Sequence, residues 1–213
     1  MLETKYLLLT LKTDRPVGLG ASPLSLYITS LYQKRLGQPA QQLSGGNYPL
    51  VQYKIIRGSP LIVAINEGCE LLWEIYDGLD ELNGESPYRI LERRIIERKA
   101  PMGLAETRLK YRFLTPWLTL PEAELNRAKS DSQQKARLFG SILENNLLTL
   151  ARNFRISINK PLNININIKD DNIIQKETNI VGLFGTFFVN FELPQFLGIG
   201  RGISRGFGTV KQS

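Results

Sequence analysis

The chain has 213 residues, 42% of them hydrophobic, so it can bury a sizeable core and is not globally disordered. It has one cysteine and no histidine, which excludes an internal disulfide, a Ser-His-Asp triad, a HExxH zinc site and any imidazole base. The net charge is +7: residues 1–100 have 12 Lys and Arg against 11 Asp and Glu, and residues 101–213 have 15 against 9. A polyanion is therefore expected on the second half.

The lone cysteine, Cys69, fits a reducing compartment. The apolar run Tyr6–Leu11 is too short to span a membrane and is not followed by a signal-peptide cleavage pattern. We therefore expect a cytoplasmic protein that has no membrane partner.

The first hundred residues predict the element order β-α-β-β-α-β. The expected elements are strand Lys5–Thr13, helix 23–36, hairpin 49–65, helix Glu67–Tyr76 and strand Tyr88–Lys99. Ser22 can cap the first helix, with Pro23 at its first position. This order is typical of a ferredoxin-like domain, which we predict for residues 1–100.

A linker is predicted at Ala100–Ala105, followed by a second domain. Its expected elements are strand Glu106–Phe113, helix Ser130–Phe154 and strands Asn163–Ile168, Ile173–Thr178 and Ile180–Phe191. In the first of these strands apolar and basic residues alternate, which predicts one buried and one basic face. That face is either simply solvated or in contact with RNA. The fold class is thus α+β, with two ferredoxin-like domains in tandem, the second (residues 101–213) modified.

The segment Phe196–Val210 concentrates glycine and arginine near the end of the second domain. Its five glycines and two arginines are Gly198, Gly200, Gly202, Gly206, Gly208, Arg201 and Arg205. Glycine tolerates positive φ and close backbone approach, and amides together with guanidinium groups favour an anion. The segment predicts a loop that binds a phosphodiester backbone, and the alternative is a flexible tail.

Three patches carry a resemblance to a known family. They are the G-x-G-(x5)-G-F-G run from Gly198 to Gly208, the run Tyr48–Ile56 continued by Pro60–Ile65 and Glu67-Gly68, and the F-L-T-P element Phe113–Pro116. With these patches the chain resembles the RAMP superfamily of CRISPR-associated proteins, and within it the repeat-processing endoribonucleases of the "Cas six" family.

The resemblance implies cleavage of the repeat in precursor CRISPR RNA without a metal or other cofactor. The 2′-hydroxyl attacks the adjacent phosphate and leaves a 2′,3′-cyclic phosphate and a 5′-hydroxyl. Most members use a histidine, but Gln41-Gln42 stand where the related subgroup places its histidines. The residues of that region that could act instead are Tyr32, Lys34, Arg35 and Ser44.

The implied partner is CRISPR repeat RNA or the mature crRNA, and subunits of a CRISPR effector complex or a second copy of the chain are further partners. We expect Phe207, the glycines and both arginines of the terminal segment to hold RNA. The expected phosphate contacts elsewhere are Lys110, Arg112, Arg127, Lys129, Lys135 and Arg137. Two alternatives stay open: a subunit that binds crRNA without cleaving it, and a structural subunit whose glycine loop packs against proteins.

Overall fold

The computed structural model describes residues 1–18, 30, 44–45, 48–82, 87–121, 132–168, 173–175 and 180–213. These form two compact units. The N-terminal unit comprises Glu3–Ala100 and Ile203–Gly206, and the C-terminal unit comprises Met1–Leu2, Pro101–Gly202 and Phe207–Ser213. Both units combine β-sheet with helix, which confirms the predicted α+β fold class. Within the described ranges, no helix is long and apolar enough to cross a membrane.

The N-terminal unit is built on one main sheet. Its elements are β1 (Leu2–Thr13), β2 (Ser44–Gly45), β3 (Tyr48–Pro49), β4 (Val51–Ile56), β5 (Ser59–Ile65), α1 (Glu67–Tyr76), β6 (Glu81–Leu82) and β7 (Tyr88–Phe113). The main sheet has the order β4-β5-β1-β7. The predicted helix over residues 23–36 lies outside the described residues, apart from Ser30, which is helical. The ferredoxin-like arrangement therefore stays a prediction.

The predicted hairpin is confirmed as β4 and β5, which pair antiparallel. Its turn consists of Arg57 and Gly58, whose φ angles are +52° and +77°. Two consecutive positive φ values match the right-handed twist of the flanking strands, and glycine adopts them at little cost. The turn thereby fixes the register, in which Lys54 is opposite Leu61.

One face of this sheet packs on α1. The core on this face contains residues from β1, β4 and β5 together with Cys69 and Leu72 of α1. From β4, the alternate residues Val51, Tyr53 and Ile55 face this core. The intervening residues Gln52 and Lys54 must therefore point to the opposite face.

The stretch predicted as a linker, Ala100–Ala105, belongs to β7, which runs through it without interruption, and the division between the two units falls within it, between Ala100 and Pro101. Ala100 and Met102 are buried, and the Thr4 hydroxyl donates a hydrogen bond to the Ala100 carbonyl at 2.8 Å. Gly103 has a φ of +134°, and the register of β7 with the strand beside it shifts just after this stretch, between Leu104 and Leu109. The proline and glycine of this stretch thus form an irregularity within a strand rather than a break between two.

The C-terminal unit takes the second half of β7 and most of the remaining elements. These are β8 (Trp117–Pro121), α2 (Ser132–Asn153), β9 (Asn165–Ile168), β10 (Ile173–Gln175), β11 (Ile180–Leu183), β12 (Gly185–Glu192) and β13 (Val210–Gln212). β7 pairs with β12 and β13, and β12 also pairs with β9. A second sheet has the order β10-β11-β8. The short 3₁₀ turn η1 (Ile203–Arg205) belongs to the N-terminal unit.

The predicted strand Ile180–Phe191 is two strands, because Phe184 separates β11 from β12 and the two join different sheets. The predicted helix Ser130–Phe154 is confirmed as α2. Its inward residues are Phe139, Leu143, Leu147, Leu150 and Ala151, all buried as their spacing predicts. The Phe139 ring meets Trp117 edge-on at 6.5 Å, and Trp117 stacks on Phe113 at 5.1 Å. α2 therefore covers the face of the sheet that carries Phe113.

Candidate functional site

The glycine-rich segment is anchored by the F-L-T-P element. The Gly208 amide donates to the Pro116 carbonyl at 2.8 Å, and the Leu114 amide donates to the Thr209 carbonyl at 2.8 Å. The Thr209 amide donates to the Thr115 hydroxyl at 2.9 Å. Two of the three patches that carried the resemblance are therefore hydrogen-bonded to each other in the C-terminal unit.

Close packing requires glycine at two positions of this segment. Gly208 has a φ of +65°, and a Cβ there would collide with the carbonyl oxygen of Ile199. Gly200 has a φ of +89°, and a Cβ there would lie 2.8 Å from the indole nitrogen of Trp117. That nitrogen donates to Asn146 Oδ1 at 3.0 Å. These two glycines therefore serve the packing of the protein itself.

Several amides of the segment already have protein acceptors. The Gly206 amide donates to Ile203 at 3.0 Å, and the Phe207 amide donates to Gly202 at 3.2 Å. In this conformation they are not available to a phosphate. Arg201 is exposed and Arg205 is partly exposed, so these side chains are better placed to meet a polyanion.

The second half of β7 has the alternation that the sequence predicts. Tyr111 and Phe113 are buried, whereas Lys110 and Arg112 are exposed. The basic residues lie on the face of the sheet that α2 does not cover.

This uncovered face of the C-terminal unit, which we call the outer face, also carries an aromatic ring. Phe188 of β12 is paired with Lys110 and is 38% exposed, and the Lys110 ammonium lies 5.7 Å from its ring centroid. Arg112 is paired with Thr186 on one side and with Lys211 on the other. The Lys211 ammonium lies 5.5 Å from the ring centroid of Phe196. The outer face thus combines an accessible ring, in contact with one cation, with further cations on the neighbouring strands, a combination that single-stranded nucleic acid favours.

Of the other predicted site residues, the structure describes Lys135, Arg137 and Ser44. Lys135 is partly buried and Arg137 is exposed on α2, which packs against the opposite face of the sheet. Tyr32, Lys34, Arg35, Arg127 and Lys129 lie outside the described residues. Ser44 begins β2.

A titratable group that the sequence did not single out lies in β4 of the N-terminal unit. Lys54 is fully buried, and its Nζ has no hydrogen-bond partner in the described part of the chain. Burial lowers the pKa of Lys54 from 10.5 to about 7, because the interior disfavours the charged ammonium. A lysine with that pKa can exchange a proton near neutrality, which this histidine-free chain must otherwise achieve with other residue types.

The sequence held one signal for this burial. Leu61–Ile65 of β5 is a continuous apolar run, which is typical of a strand covered on both faces. Every residue from Pro60 to Ile65 is indeed buried. Because Lys54 is paired with Leu61, its side chain shares one of those covered faces.

A cleft of about 500 Å³ opens on the N-terminal unit beside the hairpin turn. Thr10, Lys12, Arg57, Ser59 and Arg94 contribute to its lining. The carboxylates of Asp14 and Glu92 also line the cleft. Because its basic side chains outnumber these two carboxylates, the cleft is suited to a phosphate.

Two solved structures match this chain over its whole length. One is described as a crystal structure of Cas6b and the other as a crystal structure of the CRISPR RNA processing endoribonuclease Cas6b. Each is 28% identical and covers 100% of both chains, with TM-scores of 0.81 and 0.76. The protein thus has the two-domain fold of the Cas6 proteins of the RAMP superfamily.

The match extends to the sequence. The family model of the Cas6b N-terminal domain matches residues 3–100, and that of the Cas6b C-terminal domain matches residues 103–213. An uncharacterised protein of Methanocaldococcus jannaschii is 33% identical over 141 residues, which are 64% of this chain and 95% of that protein. The chain belongs to the Cas6b family of CRISPR repeat-processing endoribonucleases, which confirms the resemblance found in the sequence.

Proposed function

We propose that this protein binds CRISPR repeat RNA and cleaves it within the repeat by a metal-independent reaction. The observation that carries the proposal is the match of Cas6b family models to residues 3–100 and 103–213. Residues 1–100 and 101–213 would act as two ferredoxin-like domains, and the second would provide most of the contacts to RNA.

The outer face supports RNA binding most directly. Bases of a single strand stack on an exposed ring such as Phe188, while Lys110, Arg112 and Lys211 neutralise the neighbouring phosphates. Arg201 and Arg205 of the glycine-rich segment are further proposed contacts. Lys135 and Arg137 of α2, and Arg127 and Lys129, stay predicted contacts.

The proposed reaction balances without a cofactor. The ribose 2′-oxygen forms a bond to phosphorus while the bond from phosphorus to the 5′-oxygen breaks. One proton leaves the 2′-hydroxyl and one reaches the departing 5′-oxygen. Alignment of the attacking and leaving oxygens supplies much of the rate, and an acid–base group contributes about 10²–10⁴-fold. Tyr32, Lys34, Arg35 and Ser44 stay predicted participants.

The test uses the protein with end-labelled cognate repeat RNA in excess EDTA. We expect cleavage at one position, a 2′,3′-cyclic phosphate product, and no cleavage when the nucleotide 5′ of that position is 2′-deoxy. Cleavage that EDTA abolishes would overturn the metal-independent reaction. Absence of RNA binding would overturn the whole proposal.

The absence of histidine favours one second function, a subunit that holds crRNA without cutting it. Tight binding of the repeat without cleavage under the same conditions is its signature. Such a subunit would assemble with other CRISPR effector subunits or with a second copy of this chain. Light scattering of the protein with and without RNA measures its association with a second copy of the chain.

A further inference from the structure

The fold of the N-terminal unit makes no evident use of the Lys54 amine. Its Nζ is buried, and no described residue accepts a hydrogen bond from it. A buried polar group without a partner destabilises a protein, and buried polar atoms are paired in most native structures. A group that weakens the fold in this way is a candidate for function.

The row of side chains across the sheet places Lys54 relative to the cleft. Lys54 is paired with Leu61, and Leu61 is paired with Thr10, so the three side chains share one face. Thr10 lines the 500 Å³ cleft. Two strand spacings separate Lys54 from Thr10 in this row, which is about 10 Å between their Cα atoms.

The cleft can receive the RNA backbone. Lys12, Arg57 and Arg94 line it, and their side chains have no ion-pair partner within the described ranges. Arg15 at the same cleft is already engaged, since it pairs with Asp14 at 2.9 Å and lies over the Tyr88 ring. A phosphate bound by the unpaired cations would lie on the face of the sheet that carries Lys54.

A small element covers β4. The turn η1 packs on β4, and its Ile203 is buried without belonging to the core beneath α1. η1 therefore lies on the face of Gln52 and Lys54. Gly202 and Gly206 flank η1 with φ angles of +69° and +85°, and such residues can change conformation at low cost.

We propose that the neutral amine of Lys54 is the general base of RNA cleavage and becomes accessible when bound RNA displaces η1 from β4. The inference rests on the proposed function. The amine takes the proton of the attacking 2′-hydroxyl as the bond from the 2′-oxygen to phosphorus forms. The 5′-oxygen leaves phosphorus and takes a proton from water. The protonated Lys54 later returns its proton to solvent.

The charges around this face favour the neutral amine. The charged or titratable groups on the elements packed there are Tyr6 and Lys12 of β1, Glu92, Arg94 and Arg98 of β7, and Arg205 of η1. Cations outnumber the single carboxylate. Like charges disfavour a further ammonium, so these surroundings do not offset burial, which is the cause of the lowered pKa of Lys54.

The first test compares Lys54→Met with Lys99→Met, which changes an exposed lysine of β7. We expect Lys54→Met to slow single-turnover cleavage at least about 100-fold, with the Kd for repeat RNA within about twofold of wild type. Its Tm should equal or exceed that of wild type, because methionine removes the buried amine. The rate of wild type should fall as the pH is lowered, because a protonated amine cannot accept the proton of the 2′-hydroxyl. Cleavage by Lys54→Met at the wild-type rate would overturn the proposal.

The second test does not require cleavage or a folded variant. A lysine-acylating reagent is applied to wild type with and without a 2′-deoxy repeat that cannot be cut, and modified lysines are identified by mass spectrometry. We expect Lys54 to be protected in the free protein and modified in the complex, while Lys99 reacts in both. Protection of Lys54 in the complex would overturn the displacement of η1. If wild type fails to cut the cognate repeat, the proposed function itself fails.

Discussion

The main sheets of the two units differ in whether the face that does not pack on a helix is exposed or covered. In the C-terminal unit, β12 alternates between buried and accessible residues, so Phe187 has an exposure of 0% and its neighbour Phe188 of 38%. In the N-terminal unit, β4 is covered on both faces, and the exposure of Lys54 is 0%. A lysine thus lies in solvent on one sheet, as Lys110, and in the interior on the other.

Alternation along a strand therefore separates two faces without telling which of them is covered. The cover on β4 includes η1, which lies about 150 residues further along the chain. The exposed face and the covered face also suit different chemical roles. An open basic face suits the binding of a long polyanion, while a covered lysine keeps a neutral, reactive amine out of water.

The largest effect is expected from two adjacent phenylalanines of β12. Phe187 stacks on Tyr111 at 5.4 Å in the core, so Phe187→Ala should lower the free energy of unfolding by about 3–5 kcal/mol. Phe188→Ala is the matched control and should change it by less than about 0.5 kcal/mol. Urea unfolding of both variants measures this. Equal losses would mean that the outer face is covered in solution.

The sequence predicted elements whose pattern is local. The helix Glu67–Tyr76 was predicted from the spacing of its apolar residues with the bounds that the structure has. The Arg57-Gly58 turn is recognisable because it lies between two apolar runs. β7 was predicted as two strands joined by a linker, because proline and glycine, here Pro101 and Gly103, are common in linkers. Their place inside a strand depends on pairing with residues almost a hundred positions away.

The candidate site divides in the same manner. The basic face at Lys110 and Arg112 follows from alternation alone, so it was found in the sequence. Phe188 was missed because it adjoins Phe187 in a strand with several aromatic residues, and such a run does not show which ring is exposed. Lys54 was missed because its burial depends on the elements that cover its face.

The pH dependence of stability tests the buried lysine. The pKa of Lys54 is about 7 in the folded protein and 10.5 as the ordinary value. Between these values the unfolded chain binds more protons, so the wild-type free energy of unfolding should rise with pH by up to about 1.4 kcal/mol per unit from this group. Lys54→Met should lose that rise, and Lys99→Met should keep it. Parallel curves for wild type and Lys54→Met would contradict a buried, unpaired amine.

The exposed ring can be tested by affinity. If a base stacks on Phe188, Phe188→Ala should weaken binding of repeat RNA by about 1–3 kcal/mol, and Phe188→Tyr should restore most of it. Fluorescence anisotropy with labelled repeat measures both variants. The unfolding control for Phe188→Ala described above ensures that a loss reflects the RNA contact. An unchanged Kd would remove the ring from the RNA-binding surface.

The smallest effect concerns single phosphate contacts. Each of Arg112→Gln and Lys211→Gln should lower the slope of log K against log salt by about 0.7, because each removes one contact to a single strand. Arg137→Gln is the comparison, since Arg137 is exposed, as Arg112 is, but lies on α2, which covers the opposite face of the sheet. A change for Arg112 and Lys211 without one for Arg137 would assign the backbone to the outer face. The reverse result would place the RNA along α2 and show that the outer face does not bind it.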